Sequence, residues 1–209
     1  PLHRREAIER LEMTHLDVLV IGGGVTGIGC ALDAASRGLS VAVVEQRDLA
    51  SGTSSRSSKL IHGGLRYLQQ FKFGLVREAL SERNLLISQI APHLINQVDF
   101  LYPLRNRGER LYAGLGIGLY DLMAFRGGNR LPRHKHLSRR QVQSKAAALS
   151  SRTHKGAIMF SDASVDDARY VISVARTAAQ FGASILTSVK VTNLLTGNGR
   201  VNGAVVKCL

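Results

Sequence analysis

The chain has 209 residues, 44% of them apolar, with 21 Gly, only 2 Cys and a formal net charge of +13. That apolar content excludes a disordered tail and suffices for a buried core in one domain, or one and a half. Cys30 and Cys208 are too few for a disulfide framework and too far apart for a metal-ligand pattern, which points to a reducing compartment.

Residues 1–12 are mostly charged and lack the apolar stretch of a secretory signal. Because the chain opens on Pro1 rather than Met, it is expected to be a processed or cut product. The longest uncharged apolar run, Leu111–Tyr120, falls well short of the roughly 20 residues that a spanning helix needs.

Asp17–Ile21 reads as a short buried strand ending at Gly22, followed by a helix from Val25 to Arg37 with Gly38 as its stop. Leu39–Val44 is a second β-branched run, closed by Glu45. A strand, a crossover helix and a second strand make the two strands parallel neighbours. Residues 46–66 are polar and read as an ordered loop. Phe73–Ile90 is predicted helical, with Leu75, Val76, Ala79, Leu80, Leu86, Ile87 and Ile90 on one face and Pro92 ending it. Residues 100–155 read as an irregular basic region. Asp166–Gln180 is another helix, with Asp166 and Asp167 at its positive end. Ser184–Thr187, Lys190–Leu195 and Val201–Leu209 read as strands, the last two joined by a turn at Gly197-Asn198-Gly199.

The charge is localised. Residues 101–155 hold 9 Arg and 3 Lys against Glu109 and Asp121, a net +10 in about a quarter of the chain. Such a patch suits an anionic partner. The region has few aromatics for stacking and no recognisable binding module, so nucleic acid is not an expected partner.

Gly22-Gly23-Gly24-Val25-Thr26-Gly27 fits the G-x-G-x-x-G dinucleotide fingerprint, between a strand and a helix. Gly22 allows the tight turn, Gly24 the approach of backbone to a pyrophosphate, and Gly27 the packing of helix on strand. Glu45 stands 18 residues after Gly27, where a carboxylate accepts hydrogen bonds from ribose hydroxyls and repels a 2′-phosphate. The motif by itself does not choose between NAD and FAD. After it, six of the eight residues 51–58 carry hydroxyls, and the stretch runs into the glycine-rich Leu60-Ile61-His62-Gly63-Gly64-Leu65-Arg66-Tyr67-Leu68. A flexible Ser-rich linker would not normally merge into such a run, whereas an ordered loop of hydroxyls and amides can hold part of a large cofactor.

The runs DVLVIGGGVTGIGCALDAASRGLSVAVVE (Asp17–Glu45), GTSSRSSKLIHGGLRYL (Gly52–Leu68) and FSDASVDDARYV (Phe160–Val171) resemble the FAD-dependent, quinone-linked glycerol-3-phosphate dehydrogenase family. The resemblance covers roughly residues 15–209 and is least distinctive in the middle third. It implies an α/β architecture, a Rossmann-like FAD-binding domain of the glutathione-reductase/amino-acid-oxidase type with the start of a substrate domain. The expected segments are 15–70, the first part of the FAD-binding domain; 71–165, a helical and basic substrate-domain or membrane-facing segment; and 166–209, an incomplete return to the FAD-binding domain.

The implied reaction is oxidation of sn-glycerol 3-phosphate to dihydroxyacetone phosphate, with electrons passing through FAD to a membrane quinone. The family's FAD contacts fall on Gly22, Gly24, Gly27 and Glu45, and on Thr53, Ser54, Ser58, Lys59, Leu60 and Ile61 of the second loop. Its catalytic, substrate-positioning pair falls on Arg66 and Tyr67. Arg66 offers a forked cation to a phosphate. His62 is readable as a base or as a loop anchor, and the general base is expected outside this chain. Cys30 reads as a small packed residue, Asp166 and Asp167 as helix-terminal acids, and His134 and His136 as solvated residues without metal-site spacing.

Family members are more than twice this length, so the chain is expected to be an N-terminal fragment that is inactive alone. The expected partners are glycerol 3-phosphate, ubiquinone or menaquinone, and an anionic membrane surface, with a homodimer as a further candidate. The expected place is cytoplasmic, peripheral on the inner face of the cell membrane. Two other readings remain open: another FAD-dependent oxidase of the same fold, acting on amino acids or amines, and a non-catalytic basic module for nucleic acid or acidic lipid.

Overall fold

A computed structural model describes residues 4–126, 131–152 and 155–209. In chain order the elements are α1 (Arg4–Met13), β1 (Val18–Ile21), α2 (Val25–Ser36), β2 (Val41–Val44), β3 (Leu60–Ile61), α3 (Leu65–Leu68), α4 (Phe73–Leu85), β4 (Ile95–Pro103), α5 (Arg107–Arg126), β5 (Lys135–Leu137), α6 (Arg139–Lys145), β6 (Ala157–Val165), α7 (Asp167–Gln180), β7 (Ser184–Leu186), β8 (Val189–Gly197) and β9 (Arg200–Cys208). They form two compact units, one of residues 1–58 and 166–209, the other of residues 59–165.

The first unit is built on a parallel sheet of order β1-β2-β7. All four residues of β2, Val-Ala-Val-Val, are buried, as a central parallel strand covered on both faces requires. Alternation sends Val41 and Val43 into one core, with Ile28, Ala31 and Ala35 of α2 and Val171, Ala175 and Ala178 of α7. Alanine on both helices lets them pack closely. Val44 joins the opposite core, with Leu186, Val189 and Ala7 of α1. Helix α1 went unread because its sequence is highly charged, and only Ala7, Ile8 and Leu11 turn inward. Asp166 caps α7 by accepting from the Arg169 amide at 3.2 Å. At the β8–β9 turn, Asn198 and Gly199 both have positive φ (53° and 73°), the pairing that matches the twist of a tight hairpin.

In the second unit β6 is central and antiparallel to every partner. It pairs with β4 along its whole length, while β3 and β5 take its opposite ends on the other side. Because Leu60 and Ile61 pair with Ser164 and Ala163, residues 59–70 of the expected segment 15–70 fall in this unit.

The described residues between 100 and 155 are not irregular. They contain the end of β4, the 20-residue α5, β5 and α6, the last with a capping box between Ser138 and Gln141. Glycines 114, 116 and 118 obscured the helical period of α5 in the sequence.

The buried face of α4 also differs from the expected one. Val76, Leu80, Arg83 and Asn84 are buried, whereas Leu75 and Ile90 are exposed, and the last turn (Leu86–Ile90) widens to a π-helix. Two polar side chains on the core face displaced the apolar pattern. Arg83 is buried with Asp162 of β6 and Tyr120 of α5. Its Nη1 lies 2.7 Å from Asp162 Oδ1, and the Tyr120 hydroxyl donates to Asp162 Oδ2 at 2.7 Å. Burial, and secondarily the adjacent carboxylate, push the Tyr120 hydroxyl far above its ordinary pKa.

Removing one member of a buried pair leaves the other charge without compensation. Asp162→Ala is expected to lower unfolding stability by about 3–5 kcal/mol. Asp33→Ala, which removes the exposed pair with Arg37, should leave the urea midpoint nearly unchanged. Equal midpoints for wild type and Asp162→Ala would contradict the assignment.

Candidate functional site

The β1–α2 turn joins strand to helix with almost no spare space. Gly22 has φ +116°, in the region that favours glycine, and its amide donates to the Val44 carbonyl at 2.9 Å. Gly24 is the extended N-cap residue of α2. A Cβ on Gly27 would stand 2.1 Å from the Gly22 carbonyl oxygen, so only glycine lets this turn of α2 lie against β1. Gly23 is sterically committed as well, since its Cβ would meet Leu49 at 2.7 Å and Glu45 at 3.0 Å.

Glu45 follows the last residue of β2 and folds back over this turn. Its Oε2 accepts from the Gly23 amide and its Oε1 from the Arg47 amide, each at 2.8 Å. Each oxygen keeps a second lone pair, so the carboxylate can still accept from a hydroxyl. From the Ser-rich segment, the buried Ser54 places its Oγ 3.0 Å from the Val25 amide at the start of α2. Thr53 opens the same short 3-10 turn and is exposed, as is Ser58.

These residues suit a pyrophosphate. The first turn of α2 supplies N–H groups and the positive end of a helix dipole, with a hydroxyl beside them. A Cβ on Gly24 would lie 3.2 Å from Ser54 Oγ and begin to fill that cradle.

The remaining expected residues lie in the second unit. Lys59 has φ 57° and its carbonyl accepts from the Val165 amide, while Leu60 and Ile61 form β3. Arg66 and Tyr67 sit on the single turn of α3 and are exposed. With His62, Phe100, Phe160 and Asp162 they line an open pocket of about 390 Å³. His62 Nδ1 accepts the Gly64 amide at 3.0 Å, which leaves the neutral ring's proton on Nε2 and makes His62 a donor there.

A family model described as FAD dependent oxidoreductase matches residues 17–208. The chain belongs to that family. A glycerol-3-phosphate dehydrogenase of Mycobacterium leprae (strain TN) is 52% identical over 208 residues, 99% of this chain and 35% of the relative. The mitochondrial glycerol-3-phosphate dehydrogenase of Homo sapiens is 41% identical over 217 residues, 98% of this chain and 29% of the relative. This chain thus spans about a third of the length of these relatives. The crystal structure of the glycerol-3-phosphate dehydrogenase from Bacillus halodurans complexed with FAD superposes with TM-score 0.70 at 31% identity, covering 98% of this chain and 33% of that one. Glycine oxidase from Bacillus cereus, at 23% identity and TM-score 0.65, covers 91% of this chain and 52% of its own, and shows the shared fold alone.

Several residues differ from the sequence expectations. Cys30 is exposed rather than packed, because it faces away from the buried side of α2 at Ile28, Ala31 and Ala35. His134 is not simply solvated, since its Nδ1 lies 2.7 Å from Asp121 Oδ2 on α5. Desolvation, then the Arg110 charge and His134, holds the neighbouring His136 below its ordinary pKa. Asp167 accepts from the Ser57 hydroxyl at 2.8 Å, in addition to opening α7. Sequence reading missed Asp162, Tyr120 and Arg83. The trace in the sequence was an acid near Phe160 in a mixed polar and apolar run, and nothing local named its partners. Among the described residues no helix is long and apolar enough to cross a membrane.

The glycines of α2 give a direct stability test. Gly29 has open space where its Cβ would be, so Gly29→Ala should stabilise by about 0.5–1 kcal/mol through helix propensity. Gly27→Ala should destabilise by about 1–3 kcal/mol through overpacking. Thermal unfolding of the two variants beside wild type reads both signs. A neutral Gly27→Ala would contradict the close approach.

Proposed function

We propose that this chain carries the FAD-binding residues of an enzyme that oxidises sn-glycerol 3-phosphate to dihydroxyacetone phosphate. Two observations support the reading: the 52% identity to the Mycobacterium leprae dehydrogenase, and the cradle formed by Gly24, Val25 and Ser54. The first unit belongs to the FAD-binding domain, and residues 59–165 begin the substrate domain.

In this reading the N-terminal amides of α2 and the Ser54 hydroxyl hold the pyrophosphate, and Glu45 accepts hydrogen bonds from ribose hydroxyls. Thr53, Ser58, Lys59, Leu60 and Ile61 contact the rest of the cofactor. When bound, FAD supplies the two-electron acceptor for the hydride that leaves C2. Arg66 grips the substrate phosphate through its forked donors, and Tyr67 walls the same pocket. Proton removal from the C2 hydroxyl is assigned, on the family resemblance, to a base outside this chain.

Anaerobic addition of glycerol 3-phosphate to the full-length protein should bleach its flavin, whereas glycine and proline should not. Bleaching by the amino acids alone would favour the oxidase reading. Arg66→Lys keeps the charge and loses the fork, so kcat/KM should fall about ten- to a hundredfold with flavin content unchanged. Normal turnover would remove Arg66 from the substrate site.

We further propose that electrons pass to a membrane quinone, ubiquinone or menaquinone, and that the protein lies peripherally on anionic lipid. The exposed side of α5 supports this. Leu111, Leu115, Leu119, Leu122 and Phe125 recur at helical spacing, and Leu111 and Leu115 are each 68% exposed. The same helix buries Ala113, Ile117, Tyr120 and Ala124, so the apolar run is core on one side and bare on the other. Phe71, Phe73, Leu115 and Leu119 line a neighbouring apolar hollow of about 390 Å³. The surrounding segment carries the net +10, including the exposed Arg105 and Arg110, which suits an acidic headgroup layer.

In co-sedimentation, binding should require anionic vesicles, weaken with salt, and fall when Leu111 and Leu115 are both changed to Ser. Equal binding to neutral vesicles, or no effect of the double change, would contradict a role for α5.

A further inference from the structure

We propose that Tyr120 is a positioning residue for the pocket face made by His62, Arg66 and Tyr67, and that it acts through the backbone amide of Gly63. The inference rests on the reading of that pocket as the substrate face.

Residues 62–64 belong to no helix or strand, yet Gly63 and Gly64 are buried. A buried amide outside regular structure needs a partner from elsewhere, or folding loses the hydration of that group. The Gly63 amide donates to the Tyr120 hydroxyl at 2.8 Å. That hydroxyl has one proton, which it donates to Asp162 Oδ2 at 2.7 Å. Asp162 Oδ1 in turn accepts from Arg83 Nη1 at 2.7 Å. The bonds run in one direction, from loop amide to phenol to carboxylate, with the guanidinium balancing the charge. Tyr120 and Arg83 are each 1% exposed and Asp162 is 2% exposed, so water does not compete for these partners.

The position of Gly63 is passed on to the pocket by two contacts of Gly64. Its amide donates to His62 Nδ1, and its carbonyl accepts from the Tyr67 amide at 2.7 Å, which starts the turn of α3 that also bears Arg66. Contact geometry leaves the turn little latitude. A Cβ on Gly63 would meet Leu80 at 2.4 Å and the Tyr120 hydroxyl at 2.8 Å, and Gly64 has φ +69° with its Cβ position 2.4 Å from the Tyr67 ring. Asp162 itself lines the pocket, but both its oxygens are engaged by Arg83 and Tyr120. A bare carboxylate there would repel a phosphate dianion. Paired in this way, it serves the loop.

Amide hydrogen exchange on the full-length protein, with kinetics alongside, tests the proposal. In wild type the Gly63 amide should exchange as slowly as the amides of β6, although it lies in no ladder. Tyr120→Phe keeps the ring that packs near Arg83 and deletes the hydroxyl. Exchange over residues 62–67 should then accelerate about tenfold or more, with β6 unchanged, and kcat/KM for glycerol 3-phosphate should fall about tenfold with FAD retained. Asp121→Asn, a change on the same helix that weakens the His134 pair, should alter neither reading. Fast exchange of Gly63 in wild type would overturn the proposal, and this holds even where Tyr120→Phe does not fold. So would unchanged loop exchange in the variant, or acceleration spread equally over β4 and β6. If wild type does not turn over glycerol 3-phosphate, the functional reading fails while the exchange data still decide the role of Tyr120.

Discussion

The near-contact of α2 with β1 is the constraint on which the first unit depends. The Gly22 carbonyl occupies the space that any side chain at Gly27 would need, so α2 can lie against the strand only with glycine there. That approach aims the helix N-terminus past the end of β1, next to the carboxylate of Glu45 and the hydroxyl of Ser54. Alanines 31, 35, 175 and 178 then let α2 and α7 pack on the same face of the sheet. The chemistry of the site follows from backbone geometry more than from any reactive side chain. Oriented N–H groups, a helix dipole and one acid are what an anionic dinucleotide requires.

The second unit is organised differently. Its central strand carries a buried acid, Asp162, held by an arginine from α4 and a tyrosine from α5. All three groups are buried, so they hold one another in place. The same phenol accepts from the amide of Gly63, in the glycine turn between His62 and the helix that bears Arg66 and Tyr67. Core packing and pocket shape are therefore coupled through one phenol hydroxyl.

Apart from the highly charged α1, sequence patterns exposed the first unit well because its elements obey simple periods. The all-apolar β2, the glycine fingerprint, the Asp166 cap and the Gly-Asn-Gly hairpin each have one dominant local cause. The second unit was hard to read for the opposite reason. Arg83 and Asn84 occupy core positions on α4, which shifts the buried face away from Leu75 and Ile90. Glycine spacing hid the helix in Leu111–Tyr120, and a strand as mixed as Phe160-Ser161-Asp162-Ala163-Ser164 makes sense only when its partners are known. Local propensity cannot report a charge pair formed across 79 residues of chain. The candidate site was legible to the extent that it is built from backbone and lay open to family resemblance. Tyr120, Asp162 and Arg83, buried beside the Gly63 amide of the second unit, were not.

The central claim, that the Gly22–Gly27 turn holds FAD, is most directly tested by the flavin content of Gly24→Val in the full-length protein. The variant puts a branched side chain beside Ser54, in the space that the pyrophosphate would take. Wild type should release one FAD per chain on unfolding, and the variant should fold and release almost none. A stoichiometric yield of FAD from folded Gly24→Val would contradict the placement.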